Sequence, residues 1–220
     1  MTRKLLFSHG SPFARRVRII LLEKGLTFEP DVNDALRPVD AIEPHNPLLQ
    51  VPVMYDAGNR LFGTALITEY IYATYPQTPA RTPPLAGTIT REARHWEDRL
   101  ILTAIESLSD TLVNLRLLLA DGALDAPYRK RQWLRIWSTL DWLEGQVTPE
   151  GFWPGVFSVM DIALLCPMQF AEKRGMFEVA SGRWPGITAM MDHWAGRPSV
   201  QSTPVNTLAL PKPQPVAKPP

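Results

Sequence analysis

The prolines of this chain gather in places, and one gathering cuts it in two. Of its 22 prolines, Pro76, Pro79, Pro83 and Pro84 fall in one stretch that Gly87 closes. Proline fixes φ and has no backbone N–H, so residues 76–87 form neither helix nor strand and read as a linker. The two sides differ in hydrophobic period. Before the linker, short apolar runs alternate with helical patterns. After it, apolar residues recur every three or four positions. The reading is an α/β domain over residues 1–76, a linker over 77–87, and an all-α helical domain over 88–202. A tail over 203–220 carries Pro204, Pro211, Pro213, Pro215, Pro219 and Pro220 and reads as extended or disordered.

Within the first domain, Lys4-Leu5-Leu6-Phe7 reads as a strand, and Val17, Ile20 and Leu21 recur at helical spacing before Gly25. The turn between them is Ser8-His9-Gly10-Ser11-Pro12. Ser11 falls at an N-cap and Pro12 at the first helical position, where a missing N–H costs nothing. Its hydroxyl then sits among free backbone N–H groups at the positive end of a helix dipole, which attracts anions. Two readings stand: Ser11 is a cap only, or it also meets a ligand. Residues 27–32 suggest a second strand, parallel to the first in a right-handed βαβ unit. Residues 33–47 read as a loop. Val51-Pro52 leads into an apolar strand that Asp56-Ala57-Gly58-Asn59 turns back on itself. A trans proline is the ordinary expectation there, and a cis one the sharper. Arg60–Phe62 returns. Thr64 reads as the N-cap of a helix whose face is Leu66, Ile67, Tyr70 and Ile71.

Beyond the linker, Trp96, Leu100, Ala104, Leu108, Leu112, Leu115 and Leu119 predict one long helix stopped at Asp121-Gly122. Trp133, Ile136, Trp137, Leu140 and Leu143 predict another. Ser158 with Asp161 three residues on reads as a capping box. It opens an apolar helix that holds Cys166, read as a small core residue, and Pro167, expected to kink it. Trp184-Pro185 opens a last helix ending at Gly196.

Composition excludes more than it selects. A net charge of +1 gives no global attraction to nucleic acid or to an anionic membrane. One cysteine excludes a disulfide framework and fits a reducing compartment. No apolar run approaches the ~20 residues that cross a bilayer. The four histidines, His9, His45, His95 and His193, show no metal-ligand spacing. Arg15, Arg16 and Arg18 scatter around their helix and read as solvated or salt-bridged. Tyr128-Arg129-Lys130-Arg131 reads as a wet face.

Four ordered segments carry a resemblance. Residues 11–25, SPFARRVRIILLEKG, closely resemble the start of cytosolic glutathione S-transferases. Asn46-Pro47 through Gln50-Val51-Pro52 looks like that family's Asn-Pro…Val-Pro segment, in which the proline is cis. Ser158-Val159-Met160-Asp161 is similar to its helical-domain capping box. Trp184-Pro185-Gly186-Ile187 and Ala195–Val200 look like its C-terminal helix and exit. The match spans residues 4–202.

The resemblance implies a thioredoxin-like, glutathione-binding first domain. It implies an all-α second domain that lends a wall to a hydrophobic substrate pocket. It puts Ser11 at the catalytic position and Phe13, Gln50, Val51, Pro52, Gly63 and Thr64 at glutathione. It implies a cytoplasmic homodimer that conjugates glutathione to a hydrophobic electrophile, isomerises it or reduces a peroxide, without a metal. Serine at position 11 resembles the tau-, zeta- and theta-like side of the family and bacterial relatives, and forms no mixed disulfide.

One position departs. The family carries an acid or Gln for the γ-glutamyl ammonium where this chain has Gly63. Losing one charge-assisted hydrogen bond costs roughly 1.5–3 kcal/mol, about 10- to 150-fold in affinity. Glu97 or Asp98 of a partner subunit is the candidate substitute. The departure keeps open a second reading, a non-catalytic binding or regulatory protein on the same fold.

Overall fold

The computed structural model describes residues 3–33, 42–76, 94–120, 127–179 and 181–205. The expected linker over 77–87, most of the 33–47 loop and the tail from 206 lie outside the described residues. The first part is a four-stranded sheet in the order β2-β1-β3-β4, with β1 Lys4–Phe7, β2 Glu29–Val32, β3 Val53–Asp56 and β4 Asn59–Phe62. Helix α1, Pro12–Glu23, crosses between the parallel pair β1 and β2. Strand β3 runs antiparallel to both β1 and β4. Pro30 lies in the edge strand β2, the place where a missing N–H is tolerated. Ala57 and Gly58 both have positive φ, 48° and 85°, which lets the β3–β4 hairpin close in two residues.

Helix α2, Thr64–Thr74, follows β4. Here two expectations are corrected. Thr64 is the first helical residue, and the N-cap is Gly63, at φ 85° and ψ 120°. The chain leaves β4 through a conformation that a side chain resists, so glycine takes the hinge and the helix starts one residue later. Leu66 is not on the buried face either. It is 52% exposed, and the face is Ile67, Thr68 and Ile71.

The second part is all helix: α3 His95–Ala120, α4 Pro127–Glu144, α5 Val159–Lys173, α6 Pro185–Ala195 and a short α7 Pro198–Gln201. So the helix opened by Pro185 is not the last. In α3 the buried stripe runs Ile101, Ile105, Leu108, Leu112, Leu115, Leu119. Trp96 and Leu100, assigned to that stripe from sequence, are 78% and 58% exposed. The stripe continues backward to Asp98, which accepts a 3.1 Å hydrogen bond from the Trp153 indole. A polar residue thus holds a core position in the first turn. On α4, Trp133 stacks on Trp137, and Trp137 on Trp184, with centroids 5.3 and 5.2 Å apart. Helix α5 runs through Pro167 to Lys173, and Cys166 is buried in it.

Helix α1 joins the two parts. It packs against α2 on one side and against α5 and α7 on the other, and every residue from Ala14 to Leu21 is buried. Of the two readings of its arginines, solvated or salt-bridged, the first is corrected: Arg15, Arg16 and Arg18 are 2%, 5% and 8% exposed. Arg15 donates to the Thr203 carbonyl and to Gln169. Arg16 pairs with Glu106 at 3.1 Å. At the far end Glu23 accepts from Arg197 and Ser199. The Arg18 guanidinium lies over the Phe7 ring.

The capping box at α5 is present as read. The Ser158 hydroxyl accepts from the Asp161 N–H, while the Asp161 carboxylate accepts from the Ser158 N–H at 2.7 Å and the Phe152 N–H at 3.0 Å. A Cβ on Gly151 would come within 2.6 Å of that carboxylate, so glycine is required there. Burial pushes the Asp161 carboxyl up to about 6, against the pull of the hydrogen bonds from Ser158 and Phe152. Between its unfolded value near 3.8 and about 6, the native state therefore holds more protons at this site than the unfolded chain does. The contribution of Asp161 to stability then rises as pH falls through that window. Asp161→Asn titrates nothing. Urea midpoints should show wild type gaining on Asp161→Asn by about 1.4 kcal/mol from pH 7 to pH 5. A pH-independent gap contradicts this.

Candidate functional site

Strand register decides what meets at one end of the sheet. Leu6 lies opposite Val53, and Val53 opposite Phe62. The chain leaving β1 toward Ser11, the chain entering β3 from Val51 and Pro52, and the chain leaving β4 into Gly63 and Thr64 are therefore neighbours. Three segments far apart in sequence converge on one edge. They hold the residues singled out from sequence except Phe13, which stands beside them as the second residue of α1.

The β1–α1 turn is closed by its own backbone. The Ser11 N–H donates to the Ser8 carbonyl at 3.1 Å, and the Gly10 N–H to the Ser8 hydroxyl at 3.2 Å. Ser11 is the N-cap of α1 in extended backbone, and its Oγ accepts from the Ala14 N–H at 3.2 Å. Accepting there leaves the hydroxyl proton to donate outward. Ser11 and Phe13 are half-buried. The first turns of α1 and α2 contain no acidic residue, and α2 has no side-chain cap. Two helix N-termini thus present positive ends at this edge of the sheet.

The Val51–Pro52 bond is cis. Pro52 is buried, Val51 half-buried and Gln50 exposed. The turn before them is held by Asn46, a residue the sequence reading did not single out for its side chain. Asn46 is 1% exposed. Its Nδ2 donates to the Gln50 carbonyl at 2.7 Å, and its Oδ1 accepts from the Leu48 N–H at 2.9 Å. Leu49 between them has φ 59°, in the left-handed region. A non-glycine residue there costs on the order of 1–3 kcal/mol, which the Asn46 bonds offset. The available signal was Asn before Pro, a pair that favours such side-chain-closed turns. Just upstream, the His45 ring nitrogen and the Tyr55 hydroxyl are 2.7 Å apart.

Gly63 is exposed, and nothing lies within 4 Å of where its Cβ would stand. Of the two proposed substitutes for its missing acid, the structure argues against Asp98 and leaves Glu97 on the surface. Asp98 is 1% exposed and bonded to Trp153 within its own chain, so it cannot reach a partner. Glu97 is exposed and forms a surface pair with Arg94 at 2.9 Å, and it stays the candidate. His9 packs its ring edge-on against Phe7. Among the described residues no group of His, Cys, Asp and Glu could hold a metal ion. Burial pushes the Cys166 thiol up, which suits a core residue.

A second residue the sequence did not reveal is Arg174, the C-cap of α5. Its Nη2 donates to the Gly10 carbonyl at 3.2 Å, next to Ser11, and its guanidinium lies 4.0 Å from the Phe170 ring centroid. Nothing in sequence spacing links positions 10 and 174.

Comparison with known proteins agrees with this fold. The glutathione S-transferase N-terminal domain family matches residues 5–79. The uncharacterized GST-like protein YibF of Escherichia coli K12 is 29% identical over 208 residues, covering 91% of this chain and 97% of that protein. A probable glutathione S-transferase, GSTU1 of Oryza sativa subsp. japonica, is 34% identical over 95 residues, 40% of this chain and 41% of its own. The fold is also that of a glutathione S-transferase from Methylobacterium radiotolerans, solved in complex with glutathione sulfonate. Its TM-score is 0.74 at 23% identity, over 95% of this chain and 98% of that one.

The Asn46 turn supplies a direct test. Asn46→Ala leaves the Leu48 N–H and the Gln50 carbonyl without partners. It should lower stability by about 2–3 kcal/mol in urea denaturation and speed amide exchange at Leu48. A change below about 0.5 kcal/mol with unaltered exchange would contradict the role given to it.

Proposed function

We propose that this chain is a member of the glutathione S-transferase superfamily and binds glutathione at the sheet edge just described; its match to that family's N-terminal domain and its likeness to YibF support the reading. We propose further that it activates the glutathione thiol for attack on a hydrophobic electrophile. The observation that carries the reading is the convergence of Ser11, Val51–Pro52 and Gly63–Thr64 at one end of the sheet, under two helix N-termini. In this reading the γ-glutamyl carboxylate lies at the start of α2, against Thr64. Gln50 reaches a second carboxylate, and the Val51 backbone pairs with the cysteinyl unit. Phe13 flanks the sulfur.

Ser11 donates its hydroxyl hydrogen to that sulfur and does not ionise. A thiol with a pKa near 8.5 is only about 3% thiolate at pH 7. Lowering it by about two units makes the thiolate the major form, and the thiolate is the nucleophile. The N-terminus of α1 adds its dipole to the hydroxyl. Serine at this position cannot form a disulfide with glutathione, which favours conjugation, isomerisation or peroxide reduction over thiol exchange. Trp96, Leu100 and Leu66, exposed apolar side chains on α3 and α2, support a homodimer. A single, buried cysteine fits a cytoplasmic setting.

Gly63 favours a second reading, a non-catalytic binding protein, because the ammonium of glutathione meets no side chain there. Two variants separate the readings. In Ser11→Ala, the thiolate absorbance of bound glutathione should titrate about two pH units higher, and kcat at pH 6.5 should fall about 10²-fold. An unshifted titration removes Ser11 from the chemistry. Gly63→Glu should tighten glutathione binding by about 10- to 150-fold in calorimetry. Its positive φ should lower stability by about 1–3 kcal/mol. Unchanged affinity would mean that the ammonium is not held at this position.

A further inference from the structure

Arg174 is more than a helix cap. A guanidinium at the end of α5 complements the helix dipole, and one N–H suffices to hold the Gly10 carbonyl. Those two tasks leave a full positive charge and further donors. Its Nη1 is buried and has no hydrogen-bond partner. Among the described residues no carboxylate forms an ion pair with Arg174. A second guanidinium, Arg116 on α3, is 3% exposed and close enough to act on it. Burial, and then Arg116, push Arg174 down to about 10. A half-buried guanidinium with no carboxylate partner among the described residues and one buried donor unpaired is costly to a fold. An anion beside Gly10 offsets that charge.

The surroundings are suited to one. The Gly10 carbonyl precedes Ser11, so Arg174 stands beside the turn that carries the proposed nucleophile site. The Phe170 ring under the guanidinium fixes its plane and gives an aromatic ligand an apolar neighbour. Both N-termini at this edge are free of acids in their first turns.

We propose that the electrophile accepted by this protein is itself an anion, an aromatic or apolar molecule whose carboxylate, sulfonate or phosphate is bound by Arg174 beside the Gly10–Ser11 turn. This rests on the reading of Ser11 as the residue that holds the glutathione thiolate. Arg174 positions and selects the electrophile. Glutathione's own thiolate is the other anion near the turn, and the test below separates the two.

A matched pair of aryl chlorides differs only in charge: 4-chloro-3,5-dinitrobenzoate and its methyl ester. In both, the thiolate sulfur forms a C–S bond at the carbon bearing chlorine. The C–Cl bond breaks, chloride leaves with the bonding pair, and the thiol proton has already passed to solvent. The carboxylate takes no part in bond making. With the full chain, kcat/KM for each is divided by the uncatalysed rate with glutathione. Wild type should favour the acid over the ester by roughly 10- to 100-fold. Arg174→Gln should lower that ratio at least tenfold, whatever factor is common to both substrates, and Arg174→Lys should restore part of it.

Equal rate losses for acid and ester in Arg174→Gln would overturn the proposal, since they would mean that Arg174 acts on the thiolate or on the turn. So would a wild-type ratio near one. A calorimetric titration of 3,5-dinitrobenzoate and its methyl ester without glutathione isolates the anion pocket. Arg174-dependent binding of the acid alone, with neither chloride turned over, would sustain the pocket and sink the glutathione reading. Turnover without discrimination would do the reverse.

Discussion

The buried guanidinium of Arg15 is the contact on which the arrangement depends. It sits one turn into α1, inside the protein, and donates to the Thr203 carbonyl and the Gln169 side chain. A charge in that position is tolerated only because its donors are used. Arg16–Glu106 and Glu23 with Arg197 and Ser199 repeat the device along the same helix. Helix α1 is thereby fixed to α3, α5 and α7 as firmly as to its own sheet. Because Ser11 caps that helix, the position of its hydroxyl is set from both parts of the molecule at once.

Much of this was legible in sequence, and the parts that were not share a cause. The hydrophobic period separated a sheet-and-helix half from an all-helical half, and the Ser158–Asp161 box was readable from spacing alone. For the arginines of α1 the salt-bridged alternative holds at Arg16 and the solvated one fails, because a helical pattern is taken to have one wet side and this helix is buried all round from Ala14 to Leu21. Trp96 and Leu100 were misread for the opposite reason. Asp98 occupies the core position in the first turn of α3, and an acid there hides the true stripe. Thr64 looked like a cap because it bears a hydroxyl, while backbone direction out of β4 gave that place to Gly63. Asn46 and Arg174 depend on contacts across loops and between parts of the chain. Position 174 meets position 10 only once α5 has packed beside α1.

The chemistry that results is one of positive potential, with no acid in the first turn of either helix. Two helix N-termini, a hydroxyl with a proton to give and a guanidinium at the Gly10 carbonyl surround one edge of the sheet. Such a place favours developing and standing negative charge alike. Gly63 pulls the other way. It gives the backbone its turn into α2 at φ 85°, and in the proposed binding mode it leaves the ammonium end of glutathione without a carboxylate. In the proposed binding mode the site is stronger for the sulfur and carboxylates of glutathione than for its amine.

The central claim is that three segments, joined only by strand register, form one glutathione site. Amide chemical shifts of the 15N-labelled full chain, followed as glutathione is added, test it most directly. The account predicts saturable shifts that cluster at Ser11, Val51 and Thr64 and follow one binding curve. Shifts that cluster elsewhere, or none at millimolar glutathione, would contradict it.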